Sequence, residues 1–384
     1  MAISLKLLTV LAVAFPAIVH AGRSYNLVKE YAGSNFFDDW DFYGKADDLN
    51  SGDAFFLSAA DAKQQQLAYV ESSGNAIIKV DNKTVVPYNE KRNTIRITSQ
   101  DSYGVGSVWI ADMLHVPFGC SVWPSFWSRA PGWPNGGEID TFEAINKVTR
   151  NQFALHTNPG CTVTNPVQTS TIQNSTDCSY LTNGNQGCVV TNPSTKSYGP
   201  DFASAGGGVF VTEMAEEGVS IWFFSRADVP QSLQGDGSSL DISTLGTPVA
   251  NYPSTSCTVD KFFEAQNLVF QITLCGVFAN GNNGAIFQET CTGVCYNDWV
   301  LGPPSNYDDA YFEIQHLRVY GNSTTNTPSS SSSPSSPSKT ASTSASSASP
   351  SGSSSSASSF SRSVPSVTFG TVICGALYCL SAFL

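Results

Sequence analysis

Residues 138–143 read Glu-Ile-Asp-Thr-Phe-Glu, so three acids, Glu138, Asp140 and Glu143, fall within six positions of a chain that is only 13% charged. Carboxyl groups this close can divide labour. One, kept protonated by burial and negative neighbours, gives up a proton, while another stays ionised and acts as nucleophile or base. Cleavage of a glycosidic bond needs such a pair flanking the bond, about 5–5.5 Å apart for retention of configuration and about 6.5–9.5 Å apart for inversion. A third carboxylate between them can share a proton or hydrogen bond and tune both neighbours. The bland alternative is a solvated strand face with one inward glutamate.

The spacing contains a conflict. The flanking residues are apolar, glycine or strand formers, and strand side chains alternate faces. Glu138 and Asp140 then share a face and Glu143 points away. A β-bulge at Thr141-Phe142 adds one residue and shifts the alternation, which brings all three acids to one face. Ile139 and one of the two bulge residues then pack inward. Only this arrangement gives the cluster a role.

The elements that must carry the cluster are strands. Short runs rich in Val, Ile, Phe, Tyr and Thr lie at 75–80, 94–98, 107–112, 208–212, 219–224, 268–273 and 311–320, separated by Gly, Asn, Pro and Ser. This pattern predicts an all-β sandwich. The last run breaks step near Gln315-His316, a second expected irregularity. Trp222 is expected in the core. No internal repeat or heptad pattern is present. The Cys- and Asn-rich stretch 160–200 is expected to be a long loop held by disulfides. Ten cysteines occur, and setting aside Cys374 and Cys379 in the terminal apolar run leaves eight. These imply up to four disulfides, with 105 possible pairings and none preferred. Zinc is the rival, but Cys291 and Cys295 have no second ligand pair suitably spaced.

The two ends read as processing signals. Residues 1–21 have an early lysine, an apolar stretch and small residues at Val19 and Ala21, as in a secretory signal peptide. Residues 22–320 form the folded domain. From 321 to 366 the composition turns to Ser, Thr and Pro, a disordered stalk suited to O-glycosylation and containing a small-residue attachment region. Residues 367–384 are an apolar tail with no following Lys or Arg, which together read as a GPI-attachment signal. A retained membrane helix is the alternative. The expected location is therefore the cell surface or cell wall, with a membrane link through the lipid only. Sequons at Asn82, Asn174 and Asn322 fit a secreted glycoprotein. The net charge is −12 with no basic patch, so nucleic acid is excluded as a partner and a neutral substrate is favoured. A monomer without cofactor or metal is expected.

The segment Trp-Pro-Ser-Phe-Trp (123–127) followed by Trp-Pro-Asn-Gly-Gly-Glu-Ile-Asp-Thr-Phe-Glu (133–143) resembles the active-site segment of glycoside hydrolase family sixteen, in the form found in fungal laminarinase-type endo-β-1,3(4)-glucanases. The similarity extends to Tyr31–Trp40, Leu155–Cys161, Ile221–Arg226 and the last strand. It implies a β-jelly roll of two curved antiparallel sheets with a glycan cleft. It also implies a retaining endo-hydrolase of β-1,3- or mixed β-1,3/1,4-glucans, with Glu138 as nucleophile, Glu143 as acid/base and Asp140 as helper. The longer, bulged motif is typical of enzymes acting on β-1,3-glucan. Trp127, Trp133 and then Trp123 are implied to stack on sugars. Arg96 matches a cleft arginine, and His156 is implied beside the acid/base. One departure stands out: after Cys275-Gly the family usually reads Asp-Trp-Ala-Gly, and here Val277-Phe278-Ala279-Asn280 follows. A cell-wall glucan transglycosylase is the first alternative function, and a non-catalytic glucan-binding module the second. The module reading is weakened because both glutamates are present.

Overall fold

The computed structural model describes residues 23–321 apart from Asn174 and Asp236. The expected leader, stalk and apolar tail, and two of the sequon asparagines, Asn174 and Asn322, lie outside the described residues. Among the described residues no helix is long and apolar enough to cross a membrane.

Two large sheets form a sandwich. The eight-stranded sheet runs in the order Ile172–Gln173, Cys188–Thr191, Gln152–His156, Glu138–Glu143, Val122–Arg129, Gln266–Leu274, Arg96–Tyr103 and Trp40–Phe42. The nine-stranded sheet runs Ser239–Asp241, Ser24–Ala32, Tyr311–Gly321, Ser107–His115, Gly208–Ala215, Gly218–Ser225 and Ala250–Pro253. Two further strands, Ala76–Lys79 and Ala68–Val70, join it at Tyr311–Gly321. Every strand pairing described in both is antiparallel, while a small accessory pair, Ala54–Phe56 with Arg92–Thr94, is parallel. This is the expected all-β jelly-roll sandwich.

The alternation read from the sequence explains which faces meet. Phe126, Phe142 and Phe270 of the eight-stranded sheet and Phe210 and Phe312 of the nine-stranded sheet are fully buried. Their rings touch across the interface, with Phe142 5.4 Å from Phe210 and 5.9 Å from Phe312. Truncating one such ring to alanine typically costs about 3–5 kcal/mol. All seven expected runs fall on strands, though the 94–98 run is split at Ile95. The last strand does lose step, with register shifts between Glu313 and His316. Trp222 is buried, in a smaller cluster outside the main core.

The stretch 160–200 is less of a loop than expected. Ile172–Gln173 and Cys188–Thr191 complete the edge of the eight-stranded sheet. Disulfides Cys178–Cys188 and Cys161–Cys257 pin the rest. The other two, Cys120–Cys291 and Cys275–Cys295, fasten the helical segment 276–300 against the sheet. All eight cysteines of the domain are thus paired, which removes Cys291 and Cys295 as zinc ligands. The described sequon, Asn82, is half-buried and donates from Nδ2 to Asp308 at 2.7 Å. That nitrogen is the one a glycan would take.

Candidate active site

The acid strand occupies the middle of the eight-stranded sheet, between Val122–Arg129 and Gln152–His156. Toward Val122–Arg129, Asp140 pairs with Trp127 but Phe142 pairs with Phe126, so Thr141 is the extra residue. Toward Gln152–His156 the register slips by one between Asp140 and Glu143. The bulge lies where the parity conflict required it. One detail differs from expectation: Thr141 and Phe142 both turn inward. Phe142 enters the aromatic core, while Thr141 Oγ1 accepts from Trp109 Nε1 at 3.1 Å and pairs with Thr212 Oγ1 at 2.6 Å. A hydroxyl allows this extra residue to sit in the interior without an unmet polar group.

The two ends of the strand are also set by residue type. Gly137 has φ +79°, and a Cβ there would lie 2.3 Å from the Phe263 ring, so no other residue fits at the entry. At the exit Asn146 adopts φ 53°, accepts from Ser121 N at 3.0 Å and donates to Ala279 O at 2.8 Å.

Glu138, Asp140 and Glu143 all face away from the core. Glu143 accepts from Trp123 Nε1 at 2.9 Å and from Gln152 Nε2 at 2.8 Å. Burial pushes its carboxyl above the usual range, and these two donors pull it partly back. Burial, then the charge of Glu138, push Asp140 well up. His156 Nε2 lies 3.2 Å from Asp140 Oδ2, and its Nδ1 lies 3.1 Å from Asn185 Oδ1. Burial opposes a charge on this ring, but Asp140 and then the Glu138 charge outweigh it and raise the imidazole to about 10. Glu138 accepts a bond from Trp133 Nε1.

The His156 ring touches Asp140, and its charge also acts on Glu143. Antiparallel pairing sets His156 opposite Glu138 and Gln152 opposite Glu143. Glutamine, absent from the residues expected at the site, holds the far acid. Only the register reveals it, since nothing in the local sequence marks Gln152. Glu138, Asp140 and His156 each bring one potential ligand atom within 4.8 Å of the others. With Asp140 and the Glu138 charge beside it, the imidazole favours its protonated form, in which Nε2 donates toward Asp140.

The walls divide by side. Around Glu138 stand Trp133, Trp127, Arg96 and Tyr43. The Arg96 guanidinium lies 5.0 Å from the Trp127 ring and 5.4 Å from that of Tyr43, and bonds Gln271. Burial, then neighbouring Arg129, lower its pKa to about 10. Trp133 is 37% exposed, the only one of the three expected tryptophans open to solvent; Trp127 and Trp123 are each 8% exposed. Around Glu143 stand Trp123, Ile145 and Phe278, with Phe278 edge-on to Trp123 at 5.5 Å.

A sandwich whose open sheet face carries three clustered carboxylates between aromatic walls has the build of a glycoside hydrolase. The chain belongs to glycoside hydrolase family 16: residues 40–320 match the XgeA-like catalytic domain of that family. A probable glycosidase of Schizosaccharomyces pombe is 37% identical over 304 residues, covering 78% of this chain and 70% of that protein. The endo-1,3(4)-β-glucanase XgeA of Emericella nidulans is 30% identical over 315 residues, covering 80% of this chain but 49% of its own length. The chain thus spans about half of that relative. Among solved structures, laminarinase 16A of Phanerochaete chrysosporium, with 6-O-glucosyl-laminaritriose in donor and acceptor sites, is 32% identical with TM-score 0.73, covering 78% of this chain and all of that one. An elongating family 16 β-1,3-glucosyltransferase is 34% identical with TM-score 0.70, covering 77% and 99%.

Proposed function

We propose that the protein is a retaining endo-hydrolase of β-1,3- or mixed β-1,3/1,4-glucans. The observation that carries this reading is the unequal treatment of two glutamates on one face. Glu143 is desolvated and biased toward its protonated form. Glu138 receives one indole N–H and sits opposite Arg129. In the first step Glu138 attacks the anomeric carbon while Glu143 gives its proton to the departing oxygen. In the second, Glu143 takes a proton from water, which displaces Glu138 from the same carbon. Asp140, held by His156, is the helper that disperses charge between them. Trp127, Trp133, Trp123 and Arg96 bind the sugars. The bulged motif favours β-1,3-glucan, and the sequence patterns at the two ends support a cell-surface location on a GPI anchor.

Transglycosylation is the second reading. It is favoured by the apolar wall beside Glu143, where an incoming sugar would replace water, and by the similarity to a glucosyltransferase. Time-resolved NMR of products from laminarin and lichenan tests both. Retention gives the β-anomer first, and Glu138→Gln abolishes turnover. An α-anomer first, or full activity in Glu138→Gln, would overturn the mechanism. Products longer than the substrate would identify the transferase.

A further inference from the structure

Arg129 ends the Val122–Arg129 strand. Ser125, Trp127 and Arg129 share the open face of that strand by alternation, and Arg129 is the cross-strand partner of Glu138. Directly opposed residues have Cβ atoms about 4.5–5.5 Å apart. Its guanidinium therefore projects beside the proposed nucleophile. It enters no ion pair among the described residues. Its Nε is buried and has no protein acceptor. The same is true of Trp127 Nε1, two residues back on the same face. On the other flank, Asn267 spends its amide on the carbonyls of Ser99 and Asp101. Buried donors left without an acceptor are uncommon in folded proteins and call for an explanation. A purely structural arginine would be matched to a carboxylate or to backbone carbonyls, as Arg92 is to Val300 and Asp81. Arg129 is instead held ready with an acceptor missing on the protein side. In a cleft for a polyhydroxylated ligand, a sugar hydroxyl oxygen is the acceptor of matching chemistry.

We propose that Arg129 is a substrate-binding residue, its Nε–H donating to a hydroxyl oxygen of the sugar unit held beside Glu138. The proposal rests on the glucan reading of the cleft. Placement beside the nucleophile assigns it to the part of the substrate that remains on the enzyme after the first step, not to the leaving part. The donor is fixed in direction by the strand, so a lysine, which keeps the charge but lacks this N–H, does not substitute for it.

The test is calorimetric titration of laminaritetraose into Glu138→Gln protein with Arg129 intact, with Arg129→Lys and with Arg129→Gln, alongside KM and kcat of the two Arg129 variants with Glu138 present. Loss of a hydrogen bond to a charged group predicts affinity reduced by about 10–100-fold in both variants. KM rises and kcat changes by only a few-fold. Unchanged affinity in both variants, with unaltered melting temperatures, would overturn the role. Arg129→Lys behaving as the parent protein while Arg129→Gln fails would also overturn it, because charge alone would then suffice. If laminaritetraose does not bind the Glu138→Gln parent at all, the glucan reading falls, and the role of Arg129 with it.

Discussion

Thr141 Oγ1 accepts the indole N–H of Trp109 at 3.1 Å, across the interface between the two sheets. The residue that is surplus to the ladder is thereby fixed to the opposite sheet, and Thr212 shares the same hydroxyl at 2.6 Å. Thr141→Val preserves shape but leaves the indole N–H and the Thr212 hydroxyl buried without that partner. The expected loss is about 1–3 kcal/mol in denaturant unfolding. Activity at low temperature is retained, because the bulge is set by residue number and not by the bond. A variant as stable as the parent would show that this bond adds nothing to the packing of the two sheets.

Gln152 is the partner of Glu143 that the register supplies, and it bears on the pH profile. Its N–H bond favours the charged form of Glu143 and so lowers a pKa that burial raises. If Glu143 is the acid, kcat/KM declines on the alkaline side as Glu143 loses its proton. Gln152→Leu removes a stabiliser of the carboxylate, so the alkaline limb moves to higher pH. A limb that stays in place or moves down would remove Glu143 from the acid role.

His156 links the site to global stability. Its folded pKa is about 10, against an unfolded value near 6.5. A raised pKa means stability that is fully present below about pH 6.5 and is lost as pH climbs toward about 10. Asp140 and Glu143 are also raised, so they act in the same direction from the unfolded carboxylate range upward. The melting temperature is therefore expected to fall between pH 7 and pH 9.5. His156→Asn, which keeps a donor toward Asp140 but cannot titrate, flattens that decline. Equal slopes in parent and variant would contradict the assigned shift.

These relationships were unequally visible beforehand. Periodicity located the strands because apolar burial on one face leaves a two-residue signature at Ile95 and Ile97 or at Leu268, Phe270 and Ile272. The bulge was visible as a violation of that signature by Glu143. What periodicity does not encode is which strand lies beside which, so Gln152 opposite Glu143 and Arg129 opposite Glu138 emerged only from the register. Disulfide pairing was equally hidden, because Cys120 and Cys291 are 171 residues apart and meet only through the fold. The tendency of Thr141 and Phe142 to turn inward together also escaped the alternation rule, which allows one residue per step.

Phe278 stands where the family resemblance implies a tryptophan, on the side of the cleft that carries Glu143, the proposed proton donor. Its ring meets Trp123 edge-on at 5.5 Å, and Trp123 in turn bonds Glu143. The wall where an acceptor sugar would arrive is therefore apolar and lacks an indole N–H at this point. Val277 beside it is 64% exposed and helix 276–279 is short, so a larger ring can be admitted by moving outward. Phe278→Trp adds stacking area and a donor for a sugar hydroxyl, each worth about 0.5–1.5 kcal/mol. An acceptor sugar held longer competes better with water for the glycosyl-enzyme. The expected outcome with laminaripentaose is a several-fold larger share of products longer than the substrate, at similar total turnover. A share unchanged or reduced, with the variant fully folded, would mean that the acceptor is held elsewhere than along the Trp123–Phe278 wall.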